Sequence, residues 1–399
     1  MPHLLSIEDY HKAAKRRLPR LVFDYVEGGA ETEFTVAENR RAFESVTLRP
    51  RGGTDPAEVD TRTTVLGTEL SMPVLLAPCG MSRIVHVGGD LAGARAASRA
   101  GTIFVQSTMS GHPVEEVVAG ANGSPVWYQL YRIGPQAWAQ RAVERARDAG
   151  AAALVVTFDT STGSLRERDR RSGGMALLGT VNLRAAPKAL KLGLSPRWLA
   201  GRVRDGVYPH LANVIEEDGS TRILGRGPGP SGLTWADLTW VRRVWPGPIV
   251  IKGIQTPGDA LRAIDEGASA VVVSNHGGRQ LDTAEATLRS LPEVVEAVGD
   301  RCEVLMDGGV RSGTDVLKAL SLGARAVLIG RPWVYGLAVG GEAGVDGVLK
   351  TLGDGVRRNM VLLGATKVTD LDRTYVRVPT DWLSDSAGLL PAAEHSPTL

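Results

Sequence analysis

The stretch EVLMDGGVRSGTDVLKALSLGARAVLIGRP, residues 303–332, decides how this chain is read. It opens with a short apolar run ending in Asp307, turns through glycines, continues as a helical stretch and closes on a second apolar run, AVLIG (326–330). A run that is apolar on both faces suits a parallel strand buried between helices, and parallel strands need helical crossovers. The rhythm begins near Met72. Its other runs are VLLA (74–77), IFVQS (103–107), VWYQL (126–130), ALVVTF (153–158), IVIK (249–252) and AVVVS (270–274), which makes eight in all. Most lead through a polar or Gly-rich turn into a helical segment such as GDLAGARAASRAG (89–101). Eight such units predict an α/β fold of the closed (β/α)8 TIM-barrel type. A doubly wound open sheet needs fewer strands and usually a Gly-rich fingerprint after the first. Here the first strand ends in APCGMSR, which is not GxGxxG.

Outside that rhythm, residues 6–43 read as short N-terminal helices, with Ser6 as an N-cap and Gly28–Gly29 as a stop. Strand four ends near Phe158 and strand five starts near Ile249. The interval holds a crossover helix at about 235–245 and an insertion, 160–233, expected at the C-terminal mouth of the barrel. The insertion's end, GRGPGPSG (225–232), is expected to be flexible. Residues 1–383 are read as one barrel domain and 384–399 as a flexible tail.

Composition narrows the function classes. Hydrophobic residues make up 43% and charged residues 23%, as in a soluble globular enzyme, and 48 glycines without a period exclude a collagen-like chain. A net charge of +2 and the lack of an aromatic-basic stripe give no argument for nucleic acid. Cys79 and Cys302 are too few for a disulfide framework, so a reducing, cytoplasmic setting is expected. The N-terminus does not read as a signal peptide, and no apolar stretch is long enough to predict a membrane-spanning helix. The seven histidines show no HxxxH or HExxH spacing, so no metal site is expected.

Polar residues collect where the strands end, and that is where barrels of this kind do chemistry. They are Ser107, Gln129 with Tyr131, Thr157 with Asp159, Lys252, the run Asn275–Arg279, Asp307 and Arg331. His276 opens a glycine-rich turn with Arg279 three residues on, which suits a base beside an anion-binding guanidinium. The plain alternative is a structural histidine capping a turn. Lys252 follows a wholly apolar strand. It reads either as a Schiff-base amine or as a fixed cation beside a group that becomes anionic. DGGVRSG (307–313) and GRP (330–332) follow strands seven and eight, where barrels commonly hold phosphate on backbone N–H groups and arginines.

Taken together, FDYVEGGAE (23–31), APCGM (77–81), YQLY (128–131), TFDT (157–160), RERD (166–169), KG (252–253), SNHGGRQLD (274–282), DGGVRSG and IGRP (329–332) resemble the FMN-dependent 2-hydroxyacid dehydrogenases and oxidases, across nearly the whole chain. Within that family the chain most resembles the mandelate dehydrogenases. The resemblance implies FMN as cofactor and a 2-hydroxyacid substrate. It implies that His276 is the base, oriented by Asp159, that Tyr131 bonds the substrate hydroxyl, and that Tyr25, Arg279 and Arg166 take its carboxylate. It places Lys252 against the flavin N1 and O2 edge, which disfavours the Schiff-base reading. It gives Ser107, Gln129, Thr157 and the Ala77–Pro78–Cys79–Gly80 backbone to the flavin ring, Asp307 to the ribityl chain, and Gly309, Arg311, Gly330 and Arg331 to the phosphate.

Two departures refine this picture. Gly80 stands where alanine accompanies oxidases, which leans toward a dehydrogenase using a quinone-type acceptor rather than oxygen; a peroxide-forming oxidase is the alternative. Met109 replaces a bulky tryptophan of glycolate oxidase, so a larger, mandelate-like side chain of an (S)-2-hydroxyacid is expected. The resemblance also implies a homotetramer. Residues 184–204 carry Arg184, Lys188, Lys191, Arg197, Arg202 and Arg204 among leucines and Trp198, with no acid. Such a mixture can lie on an anionic bilayer, so peripheral membrane contact through 177–215, at the inner face of the cell membrane, is expected. Two other classes compete: a Schiff-base aldolase, and a non-catalytic flavin-binding or membrane scaffold.

Overall fold

The computed structural model of the chain describes residues 4–53, 55–172, 198, 200–201, 210–223, 230–380 and 382. Within them eight parallel strands close into a barrel. They are β1 (Val74–Leu76), β2 (Phe104–Ser107), β3 (Val126–Leu130), β4 (Ala153–Thr157), β5 (Ile249–Ile254), β6 (Ala270–Val273), β7 (Glu303–Asp307) and β8 (Ala326–Ile329). Each pairs with its neighbour in sequence, and β8 pairs with β1 through Val327 and Val74 to seal the ring.

The two-residue period of a strand divides these side chains between two cores. Leu75, Val105, Trp127, Val155, Val250, Val272, Leu305 and Leu328 fill the interior. Their neighbours Leu76, Phe104, Tyr128, Val156, Ile251, Val273, Met306 and Ile329 face the surrounding helices. Burying each such side chain contributes about 1.5–3 kcal/mol, which is why the runs are apolar on both faces. One step of the same period beyond the interior layer lies a last inward position at the C-terminal end of each strand. Those positions are Ala77, Ser107, Gln129, Thr157, Lys252, Ser274, Asp307 and Gly330. The barrel therefore ends in a layer that is mostly polar. At the opposite end a hairpin of Thr63–Val65 and Thr68–Leu70 puts Val65 and Leu70 into the interior cluster and closes it.

Three helices precede the barrel: Ile7–Arg17, Arg20–Glu27 and Phe34–Ser45. The first is capped as expected, with Ser6 accepting from the Asp9 N–H while the Asp9 carboxylate reaches back. The crossover before β5 is a short 3-10 turn, Trp235–Asp237, running into Leu238–Val244. The described parts of the insertion include a helix, Glu167–Ser172, an antiparallel hairpin of His210–Ile215 with Thr221–Ile223, and Pro230–Ser231 paired to Arg132–Ile133. Most of the basic stretch 184–204 lies outside the described residues, as does 225–229 of the glycine-rich run and the tail 384–399.

Candidate active site

A cavity of about 570 Å³ opens at the C-terminal end of the barrel. Its walls bring together Tyr25, Ala77, Pro78, Cys79, Gly80, Met109, Tyr131, Thr157, Arg166, Lys252, His276, Arg279, Asp307, Gly309, Arg311, Gly330 and Arg331. Ser107, Gln129 and Asp159 are not on the wall. Ser107 Oγ donates to Gln129 Oε1 at 3.1 Å and Gln129 Nε2 donates to Thr157 Oγ1 at 3.0 Å, so a buried chain of side chains ends on Thr157.

His276 sits at φ 58°, in the left-handed region, followed by Gly277 at 63° and Gly278 at 75°. A left-handed residue with a side chain costs roughly 1–2 kcal/mol, so this turn is held by its surroundings. The conformation aims the ring at two partners. Nδ1 lies 2.9 Å from Asp159 Oδ1 and Nε2 lies 3.0 Å from the Tyr131 hydroxyl. With Nδ1–H donated to Asp159, Nε2 carries the lone pair and accepts from Tyr131. Burial pushes His276 below the ordinary histidine value, although the Asp159 carboxylate pulls the other way; Lys252 and Arg166 reinforce the drop. Burial alone would raise Asp159, but the His276 ring and Lys252 hold it below the usual carboxylate range. Burial lifts Tyr131 well above an ordinary phenol. The imidazole is therefore neutral at neutral pH and available as a base.

Opposite this chain lies positive charge. The Arg279 guanidinium donates to the Tyr25 and Gly28 carbonyls at 3.0 and 2.7 Å, where helix Arg20–Glu27 ends with unpaired carbonyls. It lies 5.2 Å from the Tyr25 ring centre. The Arg279 guanidinium, and then burial, push Arg166 down to about 10, although Asp169 Oδ2, 3.8 Å from Arg166, pulls the other way. The Tyr25 hydroxyl donates to Gly80 O at 3.2 Å and burial raises it, so it remains a donor.

Lys252 is 3% exposed. It donates to Ser274 Oγ at 2.7 Å and lies 3.0 Å from Asp307 Oδ2. Burial would lower it, but Asp307 and Asp159 outweigh burial and hold it above the ordinary lysine value. A Schiff-base lysine needs the reverse shift, so the aldolase reading loses its nucleophile. Ser274 was not among the sequence candidates. The step of two from Val272 would have found it, because that period places it in the same layer as Lys252.

FMN needs a cationic phosphate site, a partner for its ribityl hydroxyls and room for a flat ring. Asp307 Oδ1 is buried without a partner, which suits a hydroxyl donor. Gly309 has φ +85°, and a Cβ there would stand 2.2 Å from Asn39 O, so the loop packs too closely for a side chain. Arg311 and Arg331 flank it. Arg331 also starts helix Arg331–Gly340, whose N-cap is Gly330 and has no side-chain cap. Burial, then Arg279, pushes Arg331 down to about 10. The residues fit the cofactor. Among the described residues no group of His, Cys, Asp and Glu is arranged to hold a metal ion, and no helix is long and apolar enough to cross a membrane. Trp198, a member of the basic and apolar segment, donates its indole N–H to Ile84 O at 2.8 Å. That side chain is partly buried against the helical core around the barrel.

Comparison with known proteins identifies the family. A family model described as FMN-dependent dehydrogenase matches residues 14–378. The chain is 41% identical over 389 residues to an L-lactate oxidase of Nostoc sp., covering 94% of this chain and 98% of that one. It is 43% identical over 384 residues to an L-lactate dehydrogenase of Caulobacter vibrioides, with 94% and 98% covered. A solved structure described as the monotopic membrane protein (S)-mandelate dehydrogenase superposes with a TM-score of 0.85 at 37% identity, over 94% of this chain and 100% of that one. A mandelate oxidase with (S)-2-phenylpropionate gives 0.78 at 37%, over 94% and 98%.

Proposed function

Because the chain belongs to the FMN-dependent dehydrogenase family, and so oxidises 2-hydroxyacids with FMN, we propose that its substrate is an (S)-2-hydroxyacid with a bulky, mandelate-like side chain and that its electrons pass to a quinone-type acceptor. The observation that carries the chemistry is the line Tyr131–His276–Asp159 beside Arg279, Arg166 and Tyr25.

In this reading Arg279 and Tyr25 take the substrate carboxylate, and Arg166 adds a second cation. The incoming anion relieves the crowding of the two guanidiniums. Tyr131 holds the hydroxyl. Neutral His276 removes a proton at Nε2, and the imidazolium that results is stabilised by Asp159 at Nδ1. When bound, FMN would supply the acceptor for the two electrons that leave the substrate with its proton. Asp307 holds its ribityl chain, Arg311, Arg331, Gly309 and Gly330 its phosphate, and Ala77–Gly80 with Thr157 its ring. Ser107 and Gln129, in the same inward layer as Thr157, would contact the ring with it. Lys252 fixes a positive charge in the floor of the cavity.

Met109 supports the bulky side chain, since it lines the cavity as a flexible, apolar group. Gly80 supports the dehydrogenase: a Cβ there would lie 3.0 Å from Met109 Cβ, so the two residues share space that an alanine would narrow. The L-lactate oxidase relative favours a second reading, an oxidase that reduces oxygen to hydrogen peroxide. An anaerobic panel of mandelate, lactate and glycolate, followed by reoxidation with air or a quinone analogue, separates these. Mandelate should bleach the flavin fastest, and the quinone should restore it faster than air. Lactate or glycolate ahead of mandelate overturns the substrate; bleaching by none of them overturns the reaction.

A further inference from the structure

We propose that Asn39, which lies outside the barrel on helix Phe34–Ser45, is a positioning residue that holds His276 in its left-handed conformation through Asn275. The proposal rests on the reading of His276 as the base.

Three adjacent residues, His276, Gly277 and Gly278, all have positive φ. Glycine adopts that conformation without penalty, but His276 does not. Ser274 Oγ accepts from His276 N at 3.1 Å and Arg331 donates to Gly277 O at 2.8 Å, but the side chain that bridges across the turn is Asn275, 4% exposed, whose carboxamide is fully engaged. Asn39 Nδ2 donates to Asn275 Oδ1 at 2.9 Å, and Asn275 Nδ2 donates to Asn39 Oδ1 at 2.8 Å. The two amides thus form a closed, reciprocal pair. Asn275 Oδ1 also accepts from Gly278 N at 3.1 Å, which folds the turn back on itself across His276. Asn275 Nδ2 reaches Glu285 O at 2.9 Å. At neutral pH no other side chain of this length both donates and accepts in one plane, since an ionised aspartate only accepts.

Asn39 is 2% exposed, and its reach extends to the other side of the cavity. Its Oδ1 accepts from Thr287 N at 3.3 Å, and Thr287 Oγ1 donates to Asp307 O at 2.6 Å. The Asn39 carbonyl lies against Gly309, and Arg40 donates to the Gly309 carbonyl. One turn of this helix therefore touches the loop that carries the base and the loop after β7 that holds the cofactor. The base is fixed relative to the cofactor by a helix that contributes no atom to the cavity wall. Misplacing a reacting group by about 1 Å costs on the order of 10²-fold in rate, so a loosened turn shows in turnover before it shows in binding. The substrate carboxylate sits instead on Arg279, which is anchored independently to the Tyr25 and Gly28 carbonyls.

The test uses the FMN-loaded enzyme and rates per bound flavin. Asn39→Ala should lower kcat by on the order of 10²-fold, while KM for the 2-hydroxyacid changes little. Asn39→Asp keeps the size and both acceptor bonds but loses the donor to Asn275 when ionised. Its rate relative to wild type should rise as pH is lowered, because the protonated carboxyl regains that donor. A wild-type kcat per flavin in Asn39→Ala, with only thermal stability reduced, overturns the proposal. If Asn39→Ala does not fold, a ratio for Asn39→Asp that is independent of pH overturns it. Wild-type turnover in the same assay separates this failure from failure of the functional reading itself.

Discussion

At the scale of single residues, the His276 environment sets a pH dependence with a definite sign. The ring must be neutral to act, and burial outweighs Asp159 in lowering it below the ordinary histidine value. The acid limb of kcat/KM is therefore expected below that value, with the rate flat across neutrality. Asp159 is the group that opposes the drop. In Asp159→Asn the opposing charge is lost, so the limb moves to lower pH and the plateau falls by about 10²-fold, because the weaker base is also no longer held in one tautomer. A pH–rate profile of the two enzymes checks both effects, and a limb that moves to higher pH contradicts the assignment. His276, Arg279 and Lys252 stand out in the sequence as candidates because they sit at, or in the turn just beyond, the end of an apolar strand, where a charged residue has to be explained. Asn39 was not legible. It lies in an amphipathic helix, where an asparagine reads as an ordinary polar residue, and only the closure of the barrel brings it to Asn275 across more than two hundred positions.

At the scale of elements, the eight strands could be read from their apolar runs, and the ends of six of them from the polar residue that breaks the run. The hairpin at residues 63–70 could not, since strands of three residues leave no period to count. Nor could Pro230–Ser231, which exists only by pairing with Arg132–Ile133. The loop after β7 makes the most exposed prediction at this scale. Its glycines were read as a phosphate turn, and the fold adds a second reason for Gly309: helix Phe34–Ser45 presses against it. An alanine there would combine an unfavourable positive φ with a clash against backbone, which cannot rotate away. Gly309→Ala should cost about 3 kcal/mol of stability and release FMN more readily. Melting temperature and the recovery of flavin fluorescence on dilution measure the two effects. An alanine variant that melts with the wild type and retains its flavin would mean that this loop yields where the geometry says it cannot.

At the scale of the whole molecule, the open question is where the enzyme works. Peripheral attachment to an anionic bilayer is the prediction that the basic, leucine-rich composition of 184–204 makes. The fold narrows which part of 177–215 can serve. Leu211, Ala212, Asn213 and Val214 are buried, Asn213 Oδ1 accepts from Val114 N at 2.9 Å, and Arg145 donates to Ala212 O at 3.2 Å. Strand His210–Ile215 is thus part of the body of the protein, and Trp198 is tied to Ile84. A deletion reaching 215 would damage the barrel's flank and confound the result. Removing 177–196 spares both contacts while taking out Arg184, Lys188 and Lys191 with Leu190, Leu192 and Leu194. The intact enzyme should sediment with anionic vesicles and be released by salt, since surface charge attraction is screened within about 10 Å at 0.1 M. The shortened enzyme should stay in solution and still reduce a water-soluble quinone analogue. Equal sedimentation of both would rule out 177–196 as the attachment segment, and an intact enzyme that stays in solution would remove the membrane as the electrons' destination and return the weight to oxygen as the acceptor.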